Sequence, residues 1–137
     1  MSLVELESVL KVGIKTIDAD HAQLFTILNK LYDAYQAELE RAILEDTVNE
    51  LSHYTIYHFS NEEKILKENG YPRLEEHLNQ HQFFTEKIQD FRKTIKKGNT
   101  RIGLDVLAFI KDWLLGHIQK SDRDYSEYFK KMGIIIR

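Results

Sequence analysis

Residues 74–95 read LEEHLNQHQFFTEKIQDFRKTI, and the spacing of the apolar side chains in this stretch decides the fold class. One stripe has a residue every three or four positions, and all of its members except the two histidines are apolar: Leu74, His77, His81, Phe84, Ile88, Phe91 and Ile95. This spacing is typical of the buried face of an α-helix. Two histidines, His77 and His81, lie on the same face, where further apolar side chains would be expected.

Three further stripes with the same periodicity predict three further helices. The first runs Ile17, His21, Leu24, Leu28, Leu31, Tyr35; the second Leu44, Val48, Leu51, Thr55, His58, Glu62, Ile65; and the last Leu107, Ile110, Leu114, His117, then Ile118, Asp122, Tyr125, Phe129. Each helix should span about 20 residues, or roughly 30 Å. Short connections favour antiparallel neighbours, so the sequence predicts an all-α, up-down-up-down four-helix bundle.

Glycine, proline and threonine mark the predicted ends of these helices. Gly70 suits a helix C-terminus, and Pro72 suits the start of the next helix. Gly98 should end the third helix, and Thr100 is the candidate N-cap of the fourth. The arm before Val12 is predicted to be irregular. The first connection, near residues 38–41, contains neither glycine nor proline.

Composition excludes several classes of protein. The 137 residues suit a single domain spanning residues 1–137. The chain has no cysteine, which excludes disulfides, thiolate metal sites and cysteine nucleophiles. A net charge of -3 gives no reason to expect a nucleic-acid partner. No apolar run approaches the roughly 18 residues of a membrane helix, and no targeting segment is visible, so we expect a cytoplasmic protein.

Ionisable side chains occupy faces that the periodicity assigns to the core. They are His21, His58, Glu62, His77, His81, His117 and Asp122. Burying a carboxylate without a partner is very unfavourable, and seven such groups around one interior would oppose folding. A multivalent cation resolves this conflict, because each group becomes a ligand. The sixth histidine, His53, falls off its stripe and serves as an internal control.

The spacing of these groups supports a shared site. The pairs on the second and third helices are four residues apart, so each pair projects from one helical face. His117 and Asp122 are five apart, which is roughly 140° around an ideal helix. That separation suits either two ligands that reach from different sides or a local distortion of the helix.

The number of donors favours two metal ions. Seven ligands exceed the four of a structural zinc site, whereas two carboxylates can bridge a pair of ions. Imidazole-rich ligation is compatible with iron, zinc, copper or nickel. Carboxylate-rich di-iron bundles use paired Glu-x-x-His motifs, but here Glu50 to His53 is a lone match that points away from the stripe. Fewer anionic donors should make the ferrous state easier to regain, which favours reversible binding over substrate oxidation.

At this point the pattern resembles the hemerythrin family in its bacterial single-domain form. The matching pieces are Val12-Gly13-Ile14, Ile17-Asp18 to His21, His58-Phe59 with Glu62, Gly70-Tyr71-Pro72, His77-x3-His81, Trp113-Leu114 with His117, and Asp122. The resemblance covers the chain from about Val12 to about Phe129. The ordered ligand set and its spacings make the motif specific, and the family's four-helix bundle agrees with the predicted fold.

The resemblance implies two iron ions joined by an oxo or hydroxo bridge. One ion would be coordinatively full and held by His77, His81 and His117. The other would have an open position and be held by His21 and His58. Two carboxylates, Glu62 and Asp122, would bridge them. Dioxygen would bind at the open position. Leu114, Phe59 and Trp113 are the candidates for an apolar pocket wall, since Leu114 lies one turn before His117.

The resulting functional hypothesis is reversible dioxygen binding for carriage, storage or delivery, without catalytic residues and not as an enzyme. A module that senses oxygen or nitric oxide is the first alternative, and a di-iron redox enzyme is the second. The sequence leaves the oligomeric state open, with a monomer favoured, and neither nucleic acid nor a membrane is expected as a partner. Two departures from the family pattern stand out: Asp20 replaces an expected neutral residue, and the tryptophan of the chain is Trp113 rather than one in the N-terminal arm.

Overall fold

The fold is helical, as the four stripes predict. The computed structural model describes residues 11–38, 40–98 and 103–136, except the side chains of 103–105, and these residues contain no strand. Its helices are α1 (Lys15–Gln36), α2 (Arg41–Glu68), α3 (Leu74–Lys96), α4 (Gly103–His117) and α5 (Arg123–Lys131), with a π turn (Ile118–Asp122) joining α4 to α5. The predicted N-cap Thr100 and, apart from Lys11, the arm before Val12 lie outside the described residues.

Helix α4, the π turn and α5 together form the fourth long helix. Each long helix runs antiparallel to the next one in the chain, as their side-chain contacts demonstrate. Between α1 and α2, Asp20 contacts Tyr54 whereas Lys30 contacts Glu50, so numbers rise on one helix as they fall on the other. The same opposite order relates α2 to α3, and α3 to the fourth long helix, in the pairs Glu63–His81 and Asn49–Arg92, then Gln80–His117 and Arg73–Asp124. Contacts between α1 and α4 complete the up-down-up-down bundle.

Most residues of the predicted stripes form the apolar core of this bundle. The core also contains Phe25, Ile27 and Leu66, which lie outside the stripes, whereas the predicted Tyr35, Ile65 and Leu74 are only partly buried. The largest fully buried side chains include Phe25, Leu28, Leu31, Leu51, Leu66, Phe84, Ile88 and Phe129. Each such side chain contributes roughly 1.5–3 kcal/mol when it leaves water. None of the described helices combines the length and the apolar character needed to cross a membrane.

The turn between α2 and α3 depends on a glycine with a positive φ. Gly70 has a φ of 64°, and the next amide, Tyr71 N, donates to the carbonyl of Leu66 at 3.0 Å. This arrangement satisfies the last carbonyls of a helix and favours glycine, which has no Cβ to clash. Pro72 follows in the turn, and α3 begins two residues later at Leu74 rather than at the proline.

The turn between α1 and α2 is made without glycine or proline. Glu38 adopts a φ of 52°, the one positive φ at a non-glycine among the described residues. Its amide donates to the carbonyl of Tyr35 at 3.1 Å. A left-handed conformation at an ordinary residue costs about 1–2 kcal/mol, so this connection is strained, and composition alone gives little sign of where the helix ends.

The buried face of the fourth stripe changes its position around the helix at the π turn. Residues five apart in an α-helix are separated by roughly 140°. The i→i+5 hydrogen bonding of a π turn instead places His117 and Asp122 on nearly the same face. Both are buried, as are Leu114 before the turn and Tyr125 after it. Of the two alternatives that the spacing of five allowed, the local distortion is the one present.

Both chain ends of the described bundle are tied down by hydrogen bonds. Asp18 accepts from the amides of Val12 at 2.7 Å and Gly13 at 3.2 Å, and the Ser126 hydroxyl donates to the carbonyl of Val12. At the other end, Ile134 N donates to the carbonyl of Phe129 at 2.8 Å, which turns the C-terminal residues back onto the bundle.

Two glycines with equal space around them should respond oppositely to substitution by alanine. A Cβ on Gly70 or Gly116 would meet nothing within 4 Å, but Gly70 has a positive φ whereas Gly116 lies inside α4. Gly70→Ala should therefore destabilise the fold by about 1 kcal/mol, and Gly116→Ala should stabilise it by about 0.5–1 kcal/mol. Urea denaturation of both variants measures the difference; the same sign for both would contradict it.

Candidate metal centre

All seven side chains predicted to be ligands meet inside the bundle. Each is buried, with a relative exposure of 7% or less. They come from all four long helices: His21 from α1; His58 and Glu62 from α2; His77 and His81 from α3; His117 from α4 and Asp122 from the π turn. The control residue His53 is exposed and takes no part in the cluster. Glu50, its partner in the formal motif, pairs with Lys30 on the surface.

The seven side chains form two overlapping groups that share their carboxylates. One group comprises Glu62, His77, His81, His117 and Asp122, and the other comprises His21, His58, Glu62 and Asp122. Within each group the donor atoms lie within 4.8 Å of one another. The first group therefore offers five donors and the second offers four, so the two positions are unequal.

Each shared carboxylate directs one oxygen to each group. Glu62 Oε1 lies 2.6 Å from Nε2 of His77 and 3.0 Å from Nε2 of His81. Its other oxygen, Oε2, lies 3.4 Å from Nε2 of His58 in the second group. This is the arrangement of a carboxylate that bridges two cations.

Asp122 repeats this division between the two groups. Its Oδ1 lies 3.1 Å from Nε2 of His117 and 3.2 Å from Nε2 of His77. Its Oδ2 lies 3.1 Å from Nε2 of His21. All five imidazoles thus direct Nε2 at a carboxylate oxygen, and two bridging carboxylates face each other across the centre.

The cluster fits metal ions better than it fits hydrogen bonding alone. Within the part of the chain that the structure describes, both oxygens of Asp122 and both nitrogens of His21 are buried without a hydrogen-bond partner of acceptable geometry, although Oδ2 and Nε2 lie close together. Leaving such groups unsatisfied costs about 1–3 kcal/mol each, and more when they are charged. A cation between them satisfies both as ligands, and imidazole with carboxylate is a donor set that suits iron and related metals.

Without a metal, protonated histidines of the cluster compensate the charge of its carboxylates. Burial raises the pKa of Glu62, but hydrogen bonds from three imidazoles outweigh this and hold it well below its usual range. Burial lowers the pKa of His58, but the hydrogen bonds to Asp20 and Glu62 raise it to about 10. The pKa of His77 is raised to about 9 by Asp122 and Glu62, also against burial. A metal ion must therefore displace protons from these imidazoles.

The residues that orient the outer nitrogens of the histidines were not identified from sequence. His58 Nδ1 lies 3.0 Å from Asp20, His81 Nδ1 lies 2.7 Å from Glu63, and His117 Nδ1 lies 2.8 Å from Gln80 Oε1. Such contacts fix the direction of an imidazole and raise its basicity as a ligand. Each acceptor is adjacent in sequence to a ligand on its own helix but serves a ligand on the next helix. Polar residues next to a ligand are the signal that could have revealed them.

Aromatic side chains brace the cluster. The ring of Phe59 stacks on His81 with centroids 3.7 Å apart, and Trp113 stacks on His117 at 4.6 Å. The buried hydroxyl of Tyr125 donates to Glu62 Oε2 at 2.9 Å, and burial raises the pKa of Tyr125 well above its usual value, so it stays a neutral donor. Phe59 and Trp113, predicted as pocket walls, thus contact the five-donor group.

The chain is similar to known proteins in both sequence and fold. The family model described as the hemerythrin HHE cation binding domain matches residues 12–129. A bacteriohemerythrin of Clostridium acetobutylicum is 34% identical, covering 84% of this chain and 92% of its own. One of Stenotrophomonas maltophilia is 30% identical, covering 95% and 84%. A crystal structure of wild-type hemerythrin superposes with a TM-score of 0.85 at 26% identity, covering 92% of this chain and 97% of that one.

Metal content should follow the division into two groups. We expect two ions per wild-type chain, about one after His21→Ala or His81→Ala, and fewer than one after Asp122→Ala, because both groups share Asp122. Elemental analysis after gel filtration gives the counts. His53→Ala is the matched control and should keep two ions; loss of metal from this variant, or two ions in Asp122→Ala, would contradict the assignment.

Removing the metal should make stability depend on pH in a specific direction. The pKa values of His58 and His77 in the folded chain exceed 6.5, so their contribution is complete below about pH 6.5 and is lost as the pH rises through about 9 and 10. Chemical denaturation should give a lower free energy of unfolding at about pH 9.5 than at about pH 6. The metal-loaded protein should show the opposite trend, since protons compete with metal; parallel trends would refute this account.

Proposed function

The chain belongs to the hemerythrin family, and from this we propose that it binds dioxygen reversibly at a non-haem di-iron centre, for carriage, storage or delivery. The observation that carries the proposal is the inequality of the two donor groups, five against four, around shared carboxylates. A centre with one donor fewer on one side has room for an exogenous ligand there. A closed structural site would saturate both positions.

We assign the ligands by the same division. His77, His81 and His117 would hold one ion, His21 and His58 would hold the other, and Glu62 and Asp122 would be shared between them. When bound, the iron pair supplies two electrons and an open coordination position on the two-histidine side. Sharing both carboxylates keeps the two ions close enough to act together.

The surrounding polar side chains favour reversible binding over turnover. Asp20 and Glu63 are engaged by imidazoles, and Tyr125 is engaged by Glu62. Acid–base catalysis needs a group that can give or take a proton at the reacting atoms. Because the nearby candidates already serve the ligands, we rank a redox enzyme below an oxygen-binding protein.

An apolar wall completes the proposed pocket. Leu114 is buried one turn before His117, and its side chain covers the same face of α4. Phe59 and Trp113 stack on His81 and His117 of the five-donor group, so they shield that side of the centre and leave Leu114 as the proposed wall of the open position. Their role is to exclude water, which protects a reduced centre from loss of electrons to solvent-assisted side reactions. We place this function in the cytoplasm.

Repeated oxygenation is the test of the proposed function. The ferrous protein is exposed to oxygen and then to argon through several cycles while the visible spectrum is followed. A carrier should return to its starting spectrum with little loss per cycle. Rapid irreversible conversion to the ferric form would contradict reversible binding and favour a sensor or a redox enzyme.

The same measurement tests the pocket wall. Leu114→Ala should speed conversion of the ferrous protein to the ferric form in air, because water reaches the centre more easily. Leu44→Ala, also a buried leucine but on the early part of α2, is the matched control. Both variants should lose about 2–5 kcal/mol of stability, but Leu44→Ala should convert at the wild-type rate. Equal rates in all three proteins would remove Leu114 from the pocket.

A further inference from the structure

The side-chain oxygen of Gln80 contacts both ends of the π turn. Gln80 Oε1 accepts a hydrogen bond from Ser121 Oγ at 2.6 Å and another from His117 Nδ1 at 2.8 Å. His117 directly precedes the turn, and Ser121 lies within it, next to Asp122. One atom of α3 therefore spans the segment that sets the spacing between these two proposed ligands.

The π turn needs such a contact because an α-helix is the ordinary alternative for the same residues. Turns of this kind are rare and occur mostly as single interruptions of α-helices at functional sites. If residues 118–122 relaxed to an α-helix, Asp122 would lie roughly 140° around the helix axis from His117 instead of on nearly the same face. Its oxygens could then no longer reach both donor groups. An anchor that holds both ends from a neighbouring helix favours the π form.

Gln80 also lies between two ligands on its own helix. It is three residues after His77 and directly before His81, so its contacts fix the fourth helix relative to the ligands of α3. Its acceptor is a neutral amide, whereas His58 and His81 face the carboxylates of Asp20 and Glu63. Geometry rather than charge is therefore what Gln80 provides.

We propose that Gln80 is a positioning residue for Asp122: by bridging His117 and Ser121 it holds the π turn, and the turn holds the second bridging carboxylate. This inference rests on the proposed di-metal centre and adds a residue outside its ligand set. Loss of the contact weakens the four-donor group most, because that group has the fewest donors to spare.

This role can be tested by titrating the metal-free protein with cobalt(II) in a calorimeter, which measures the affinity for each ion. Gln80→Leu removes the acceptor of His117 as well as the support of Asp122, so it should weaken binding of the first ion by less than about 10-fold and of the second by about 10- to 100-fold. Gln80→Glu restores an oxygen that accepts both hydrogen bonds and should recover the second affinity. Ser121→Ala removes one of the two contacts and should give an intermediate loss. Gln82→Leu changes an exposed glutamine of the same helix that donates a hydrogen bond to Glu86, and this variant should match wild type.

The ratio of the two affinities separates positioning from general destabilisation. A merely structural role would weaken the binding of both ions by the same factor, or would lower the unfolding temperature without changing the ratio of the two affinities. Wild-type second-ion affinity in Gln80→Leu, or failure of Gln80→Glu to recover it, would overturn the proposal. If Gln80→Leu does not fold, wild-type affinity in Ser121→Ala overturns it instead. Fewer than two cobalt ions on the wild-type chain would overturn the di-metal centre itself, which is a different failure.

Discussion

Two carboxylates with almost no access to solvent, Glu62 and Asp122, determine how the helices of the bundle must be arranged. An ionised carboxylate in an apolar interior is unstable unless compensating charge or hydrogen bonds surround it. Here five imidazoles from four helices compensate the two carboxylates. When metal is present, the di-iron centre of the family supplies the compensating charge instead. No helix can shift along its neighbour without exposing one of these oxygens to an unfavourable environment. The register of the bundle is thus an electrostatic requirement as well as a packing one.

The contacts behind the ligands extend this requirement around the bundle. Asp20 of α1 serves His58 of α2, Glu63 of α2 serves His81 of α3, and Gln80 of α3 serves His117 of α4. Each helix therefore orients a histidine of the next one in the chain. Among the described residues, no acceptor faces the buried Nδ1 of His21 of α1, so this series of contacts does not extend to that ligand of the four-donor group.

Sequence periodicity was sufficient for the fold and for the convergence of the predicted ligands, because both depend on which face of a helix a residue occupies. Buried polar groups are informative since their burial is costly, and His53 shows that an off-stripe histidine is correctly left out. Local backbone geometry was less accessible. A spacing of five allowed two geometries, and only the backbone hydrogen bonds distinguish them. The start of α3 after Pro72 and the strained turn at Glu38 depend on local hydrogen bonds that periodicity does not encode.

The residues that accept hydrogen bonds from the outer nitrogens of the histidines were not predicted, for a different reason. Asp20 was noted only as a departure from the expected neutral residue, whereas its carboxylate contacts both His58 and Tyr54. Glu63 and Gln80 read as ordinary polar positions of amphipathic helices. Their partners lie on other helices, so their roles depend on interhelical distances rather than on spacing along the chain.

The stacking of Trp113 on His117 gives the protein a natural optical probe. This tryptophan is the sole one in the chain, and its indole lies against an imidazole of the proposed metal site. Its emission can therefore report on a single location, without the overlap that several indoles would produce. An open-shell ion held by that imidazole would quench the excited indole, whereas zinc, with its filled shell, would not. The fluorescence of the untagged protein thus distinguishes which kind of metal occupies the interior.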